Sequence, residues 1–284
     1  MKLATFKTAQ GQSYGIVTGK GIVDLKRYLG NQYADLKSLI AGNAFPQAVQ
    51  YANAEPDYQA SDVTWLPVIP NPDKIVCVGL NYQEHVVETG RDNTEQPAIF
   101  LRLPESQVGH KQPIVRPRES KNLDYEAEIA VIIGTPGRRI SQKDAWSHVA
   151  GYCIVNDVSE RAFQMATTQW DKGKGFDTSG PIGPWLVTAD EVGDPQKLDM
   201  LLEVNGKKMQ SGNTRTMVFS VAKIIAHVSQ YMTLMPGDII ATGTPPGVGL
   251  GIKPNPVFLK PGDVMRLTIA GLGEQKQRVV AYSA

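Results

Sequence analysis

Residues 123–134, LDYEAEIAVIIG, constrain the fold more than any other stretch of this chain. Side chains of an extended strand alternate between its faces. Tyr125, Ala127, Ile129 and Val131 therefore share one face, and Glu126, Glu128, Ala130 and Ile132 the other. Both faces turn apolar along the run, which predicts a strand covered on both sides. Glu126 and Glu128 then repel each other at its half-buried start. Unpaired buried charge is costly, so positive charge has to meet them.

A second apolar run, GYCIVND, ends on Asp157. Brought beside the two glutamates, Asp157 completes an oxygen-only cation site. Such a site suits Mg²⁺ or Mn²⁺, with Ca²⁺ as a further candidate, and does not suit zinc. An isolated Glu-x-Glu is most often a solvated strand face, but the apolar continuation of this one argues against that. The segment SERAFQ that follows reads as a helix start with Ser159 as N-cap. Arg161 and Gln164 then share a helix face at the same strand end. Carboxylates, an arginine and a glutamine converging there point to an anionic, oxygen-rich small molecule.

Four pieces in order, DYEAEIAVIIG, GYCIVNDVSERAFQ, QWDKGKGFDTSGPIGPW and ATGTPPGVG, resemble the fumarylacetoacetate hydrolase family from about Ile75 to the C-terminal end. Within it the likeness is to a bacterial branch of 2,4-diketo-3-deoxy-sugar-acid hydrolases and proteins labelled ureidoglycolate lyases. The resemblance implies a β-roll core, a homodimer, and a metal held by Glu126, Glu128 and Asp157. It also changes the reading of KIVCVGLNYQEHVVETG. His85 and Glu88 lie three apart on a short helix stopped by Gly90, and as an exposed pair they would contribute a few tenths of a kcal/mol. They match the family's NY-x-x-H-x-x-E pattern, which carries a water-activating dyad on a lid-like helix. Lys174 matches an active-site lysine suited to stabilising an enolate. The chain departs from the pattern at Arg102, where many relatives carry lysine, and at Ser179, where the branch has phenylalanine. Glu160 and Ala162 stand where the wider family often has alanine and aspartate.

The remaining sequence adds limits. Hydrophobic residues make up 42% and charged residues 20% of 284, with a net charge of +1. This gives no electrostatic case for nucleic acid or membrane partners. No stretch approaches a membrane span, and the N-terminus has no apolar signal region. Cys77 and Cys153 sit in apolar runs without C-x-x-C spacing. They read as buried thiols of a cytoplasmic protein. The Gly-rich segment around Lys174 does not follow a strand in the phosphate-cradle pattern, which excludes a nucleotide reading. His110, His148 and His227 are expected to be structural or at the surface.

Short glycine-punctuated strands and a helical patch over residues 36–51 predict a small β-rich N-terminal domain, residues 1–70, ahead of a catalytic domain, residues 71–284. Asn205-Gly206 marks a hairpin. Residues 217–234 predict an amphipathic helix with Met217, Val221, Ile224, Ile225, Val228 and Met232 buried. In GTPPGVGLG, Thr244 and the backbone N–H groups are suited to clamp a carboxylate. Strands outnumber helices without βαβ alternation, so the fold class is α+β, mainly β. The expected activity is metal-dependent hydrolysis of a carbon–carbon bond in a 2,4-diketo acid, a diketo-deoxy sugar acid in particular. In it His85, Glu88 and Lys174 are catalytic, and Arg161, Gln164 and Thr244 bind substrate. A ureidoglycolate lyase, a decarboxylase or isomerase, and a non-catalytic binder are the rivals.

Overall fold

The computed structural model describes residues 1–92 and 94–283. Its main layer is a ten-stranded mixed sheet. From one edge the strands run Gly21–Asp24, Gly11–Thr18, Lys2–Thr8, Leu186–Thr188, Val149–Asn156, Ala127–Ile133, Ile239–Ala241, Ile75–Gly79 and Ala98–Arg102, with Thr64–Trp65 paired onto Lys2–Thr8. Neighbours are antiparallel except Ile239–Ala241 with Ile75–Gly79. A five-stranded sheet is built from Lys207–Asn213, Asp199–Val204, Val264–Ile269, Gly273–Ala281 and Ile114–Arg116. The fold is thus α+β and mainly β.

Ala127–Ile133 is central and every residue of it is buried. Its two apolar faces enter two different cores. Ala127, Ile129 and Val131 pack with Met200, Leu202 and Leu267 of the second sheet. Ala130 and Ile132 pack with Leu3, Ile16, Leu36 and Ile69. One strand therefore joins both halves of the molecule, as two-sided apolar patterning requires. The N-terminal strands continue the main sheet through Leu3 opposite Leu186. The boundary near residue 70 is retained as a proposed division of function.

Local signals account for most element ends. Asn205 and Gly206 both take positive φ, 53° and 78°, as a two-residue hairpin turn demands. Asp35 and Ser38 form a capping box at helix Leu36–Ala41, and the patch breaks after it, with Asn43 at φ 50°. The long amphipathic helix is shorter than expected, Val221–Tyr231. Ser220 caps it through Lys223 N at 3.2 Å, so Met217 lies before it and Met232 after it. Ser159 is not an N-cap: it lies in the two-residue strand Ser159–Glu160, and its hydroxyl donates to Asp157 O at 2.9 Å. Glu160 caps helix Arg161–Gln164 instead, accepting from Ala162 N.

Candidate active site

Antiparallel pairing assembles the acid cluster. Ala127 sits opposite Asn156, so the residues just outside that pair, Glu126 and Asp157, meet at the strand ends, and Asp157 N donates to Glu126 O at 2.9 Å. One oxygen from each of Glu126, Glu128 and Asp157 then lies within 4.8 Å of the others. All three side chains are buried.

Three cations meet these carboxylates. Lys174, at the end of helix Asp171–Lys174, places Nζ 2.6 Å from Glu126 Oε2 and 2.5 Å from Asp157 Oδ2. Arg161 reaches Glu126 Oε1 at 2.7 Å and Asp124 Oδ2 at 2.8 Å. Arg102 Nε donates to Asp157 Oδ1. Glu128 accepts only the Gly243 N–H, at 2.7 Å, and has no cationic partner among the described residues. Four carboxyl groups, Asp124 included, thus face three cations, and Glu128 is the one left without a cation among the described residues.

The ionisation of the cluster follows this arrangement. Burial, reinforced by Asp157 and Glu126, pushes the Glu128 carboxyl well above the usual range. Burial also opposes ionisation of Glu126, but Lys174 and Arg161 outweigh it and hold that carboxyl down at about 2. Burial works against the Lys174 ammonium too, yet Asp157 and Glu126 push its pKa up, so it stays charged. Three hard carboxylate oxygens, one residue without a cation and no thiolate or imidazole in the group fit a small hard divalent ion.

The histidine helix, Gln83–Glu88, borders the same cavity. His85 is 7% exposed, and its Nδ1 lies 3.1 Å from Glu88 Oε2. Glu88 Oε1 accepts from Gly247 N at 2.8 Å. A Cβ on Gly251 would sit 2.2 Å from the Glu88 carboxyl carbon, so a larger residue there would push the Glu88 side chain from its present position. Below the helix, Asn81 donates to Phe219 O and Thr242 O at 3.1 and 2.7 Å.

The structure brings all nine sequence-derived candidates to the lining of one cavity or into hydrogen-bond contact with it. Their surroundings differ from expectation at the glycine-rich loop. Its amides hold the chain's own carboxylates: Gly243 N binds Glu128, Gly247 N binds Glu88, and Gly249 N and Leu250 N bind Asp124. Thr244 lines the cavity, but its hydroxyl donates to Ala127 O at 2.9 Å and accepts from Gln210 Nε2 at 2.8 Å. Gln164 Oε1 accepts from Arg161 Nη1 at 2.9 Å.

Sequence reasoning missed the outer wall. Phe100, Met165, Trp170 and Leu250 line it, with the Arg91 guanidinium 5.2 Å above the Trp170 ring. One signal for it existed in Gly79, where a Cβ would lie 2.3 Å from that indole. It missed Asp124 as the partner of Arg161 as well. The other histidines lie away from the site. Lys276 N donates to His110 Nδ1 at 3.1 Å, and burial holds His110 down to about 4. His148 is half-buried with Nδ1 2.9 Å from Thr135 O, and His227 meets the Tyr231 ring edge. Cys77 and Cys153 are buried free thiols.

The model of the fumarylacetoacetate (FAA) hydrolase C-terminal domain matches residues 74–280. The chain belongs to the fumarylacetoacetate hydrolase family. A protein of Burkholderia cenocepacia whose name calls it a candidate hydrolase is 46% identical over 285 residues, covering 98% of each chain. Among solved members, maleylpyruvate hydrolase from Sphingobium sp. SYK-6, in complex with manganese(II) and pyruvate, is 34% identical with TM-score 0.82, covering 100% of both chains. The 5-carboxymethyl-2-hydroxymuconate delta-isomerase from Mycobacterium smegmatis is 29% identical with TM-score 0.79, covering 99% of this chain and 100% of its own. The family therefore contains hydrolase and isomerase relatives acting on small molecules. No helix among the described residues of this member is long and apolar enough to cross a membrane.

Proposed function

We propose that the protein is a divalent-metal-dependent hydrolase that cleaves a carbon–carbon bond in a 2,4-diketo acid of the acylpyruvate type, giving pyruvate and a carboxylic acid. One observation carries this reading: a buried carboxylate without a cation, Glu128, shares its cavity with a His85–Glu88 pair. Glu126, Glu128 and Asp157 would hold Mg²⁺ or Mn²⁺. When bound, that ion supplies Lewis-acid polarisation of the keto-acid oxygens.

The chain's own groups supply the rest. Glu88 accepts the Nδ1 proton of His85, which leaves Nε2 as the base. His85 Nε2 takes a proton from water as the water oxygen adds to the C4 carbonyl. The C3–C4 bond then breaks, its electron pair passes into pyruvate enolate, and the proton held by His85 goes to C3. The Lys174 ammonium, fixed between Glu126 and Asp157, faces the developing enolate charge. Arg161, Gln164 and Thr244 shape the inner cavity. The outer wall of Phe100, Trp170 and Met165 supports an acyl part with apolar surface as well as the diketo-deoxy sugar acid expected from sequence.

The test is pyruvate release from a panel of acylpyruvates after EDTA treatment and restoration with Mg²⁺ or Mn²⁺. Release that needs the ion supports the reading. No release from any acylpyruvate, with turnover of ureidoglycolate or of a hydroxydienoate, would move the protein to lyase or isomerase chemistry. The isomerase relative favours that second reading. A catabolic role, a cytoplasmic location and a homodimer are part of the proposal.

A further inference from the structure

Arg102 takes no part in the cavity wall, yet it is among the most heavily bonded side chains of the molecule. It is 2% exposed, and its guanidinium spans three chain segments. Nε donates to Asp157 Oδ1. Nη1 donates to Lys174 O, to Ser179 Oγ at 3.0 Å and to Ser106 Oγ at 3.2 Å. Nη2 donates to Val158 O at 2.5 Å and to Ser179 O at 3.1 Å. Ser179 and Gly180 make the seat, since a Cβ on Gly180 would approach Nη1 to 3.1 Å. A lysine could not span these acceptors, because its three N–H bonds radiate from one atom.

Each carboxylate of the acid triad has one oxygen engaged by a donor other than Lys174. Glu126 Oε1 is held by Arg161 at 2.7 Å, Glu128 Oε2 by Gly243 N at 2.7 Å, and Asp157 Oδ1 by Arg102. The oxygens left over are Glu126 Oε2, Glu128 Oε1 and Asp157 Oδ2. Two of these also accept from Lys174 Nζ, and a carboxylate oxygen keeps a second lone-pair direction for an ion. Ca²⁺ takes six to eight oxygens and favours two-oxygen carboxylate contacts, whereas Mg²⁺ and Mn²⁺ take a compact octahedral set.

We propose that Arg102, seated by Ser179, is a positioning residue that keeps Asp157 Oδ1 away from the ion and thereby selects Mg²⁺ or Mn²⁺ over Ca²⁺. This rests on the metal-site reading above and goes beyond it. Both residues are points where the chain departs from the pattern it resembles, and the structure places them in one hydrogen bond.

Calorimetric titration of the metal-stripped full-length protein with Mn²⁺ and with Ca²⁺ tests the proposal without reference to turnover. The wild type is expected to bind Mn²⁺ more tightly than Ca²⁺. In Arg102→Lys, Mn²⁺ affinity should fall about 10–100-fold, the usual range for losing a group that orients a metal ligand. Ca²⁺ affinity should fall less, so the ratio narrows. Ser179→Ala removes one acceptor and keeps the Ser179 carbonyl, so it should narrow the ratio in the same direction by a smaller factor. That variant decides the matter if Arg102→Lys does not fold. An unchanged ratio in either folded variant, or a wild type that holds Ca²⁺ as tightly as Mn²⁺, overturns the selectivity role and leaves the metal site standing. A wild type that binds neither ion removes the metal site itself.

Discussion

Two sets of buried polar side chains run through this molecule, and they behave differently. One consists of neutral amides: Asn81, Gln210, Gln275 and Gln277, each at most 2% exposed. They staple backbone segments distant in sequence. Gln275 Nε2 alone reaches Ile154 O, Pro181 O and Gly183 O at 3.3, 3.1 and 3.0 Å. The other set is the charged cluster around Glu126. There the side chains are ionisable, and Glu128 has no cationic partner among the described residues. The neutral staples spend their donors on backbone carbonyls of the fold and carry no charge for a ligand to meet. The charged cluster leaves a term that a ligand can stabilise. A buried carboxyl group without a cation, more than polarity as such, marks the place of chemistry.

The largest effect should come from removing a member of the charged set. Asp157→Ala deletes one of the three oxygens and takes a carboxylate partner from both Arg102 and Lys174. Divalent-ion binding measured by calorimetry should be lost and turnover with it. Unchanged Mg²⁺ affinity would break the site assignment.

Next in size is the base. General-base assistance is worth about 10²–10⁴-fold, so His85→Ala and Glu88→Gln should each reduce kcat on that scale with little change in KM. The two act through one hydrogen bond, and the double variant should lose no more than the larger single loss. A loss equal to the product of the two would show independent roles.

An amide staple should respond in a different currency, stability and not turnover. Gln275→Leu removes the side-chain donor of Pro181 O and Gly183 O, while Ile154 O keeps Gly183 N. We expect about 1–3 kcal/mol of destabilisation in urea unfolding, with ion affinity unchanged. A change in affinity would blur the distinction between the two sets.

The smallest expected effect concerns His110, a buried imidazole that accepts from Lys276 N. Its folded-state pKa is lowered by burial to about 4 from 6.5, so the unfolded chain binds the proton more readily. The stability it contributes is full above pH 6.5 and is lost as pH falls towards 4. The full shift corresponds to about 3 kcal/mol, and because water still reaches part of the ring the change over that window should be on the order of 1–2 kcal/mol. Replacing His110 with Gln should flatten this part of the stability–pH curve, and an identical slope would exclude His110 as its source.

The sequence by itself determined much of this protein. The alternation in residues 123–134 announced a strand with two apolar faces, and the two cores on either side of Ala127–Ile133 are its direct consequence. Asn205-Gly206 announced its hairpin, and the motif order announced the family. These features are local or periodic, so neighbouring residues suffice to state them. What tertiary structure alone decided is which charge meets which. Arg161 looked free for a substrate but holds Asp124 and Glu126. The amides of the glycine-rich loop looked free as well but hold Glu128, Glu88 and Asp124. Arg102 and Ser179 lie 77 residues apart and meet at one guanidinium. Pairing depends on distances of a few ångströms between segments far apart in the chain. No spacing along the sequence encodes those distances, so only the packed sheets could show that Glu128 is left without a cationic partner among the described residues.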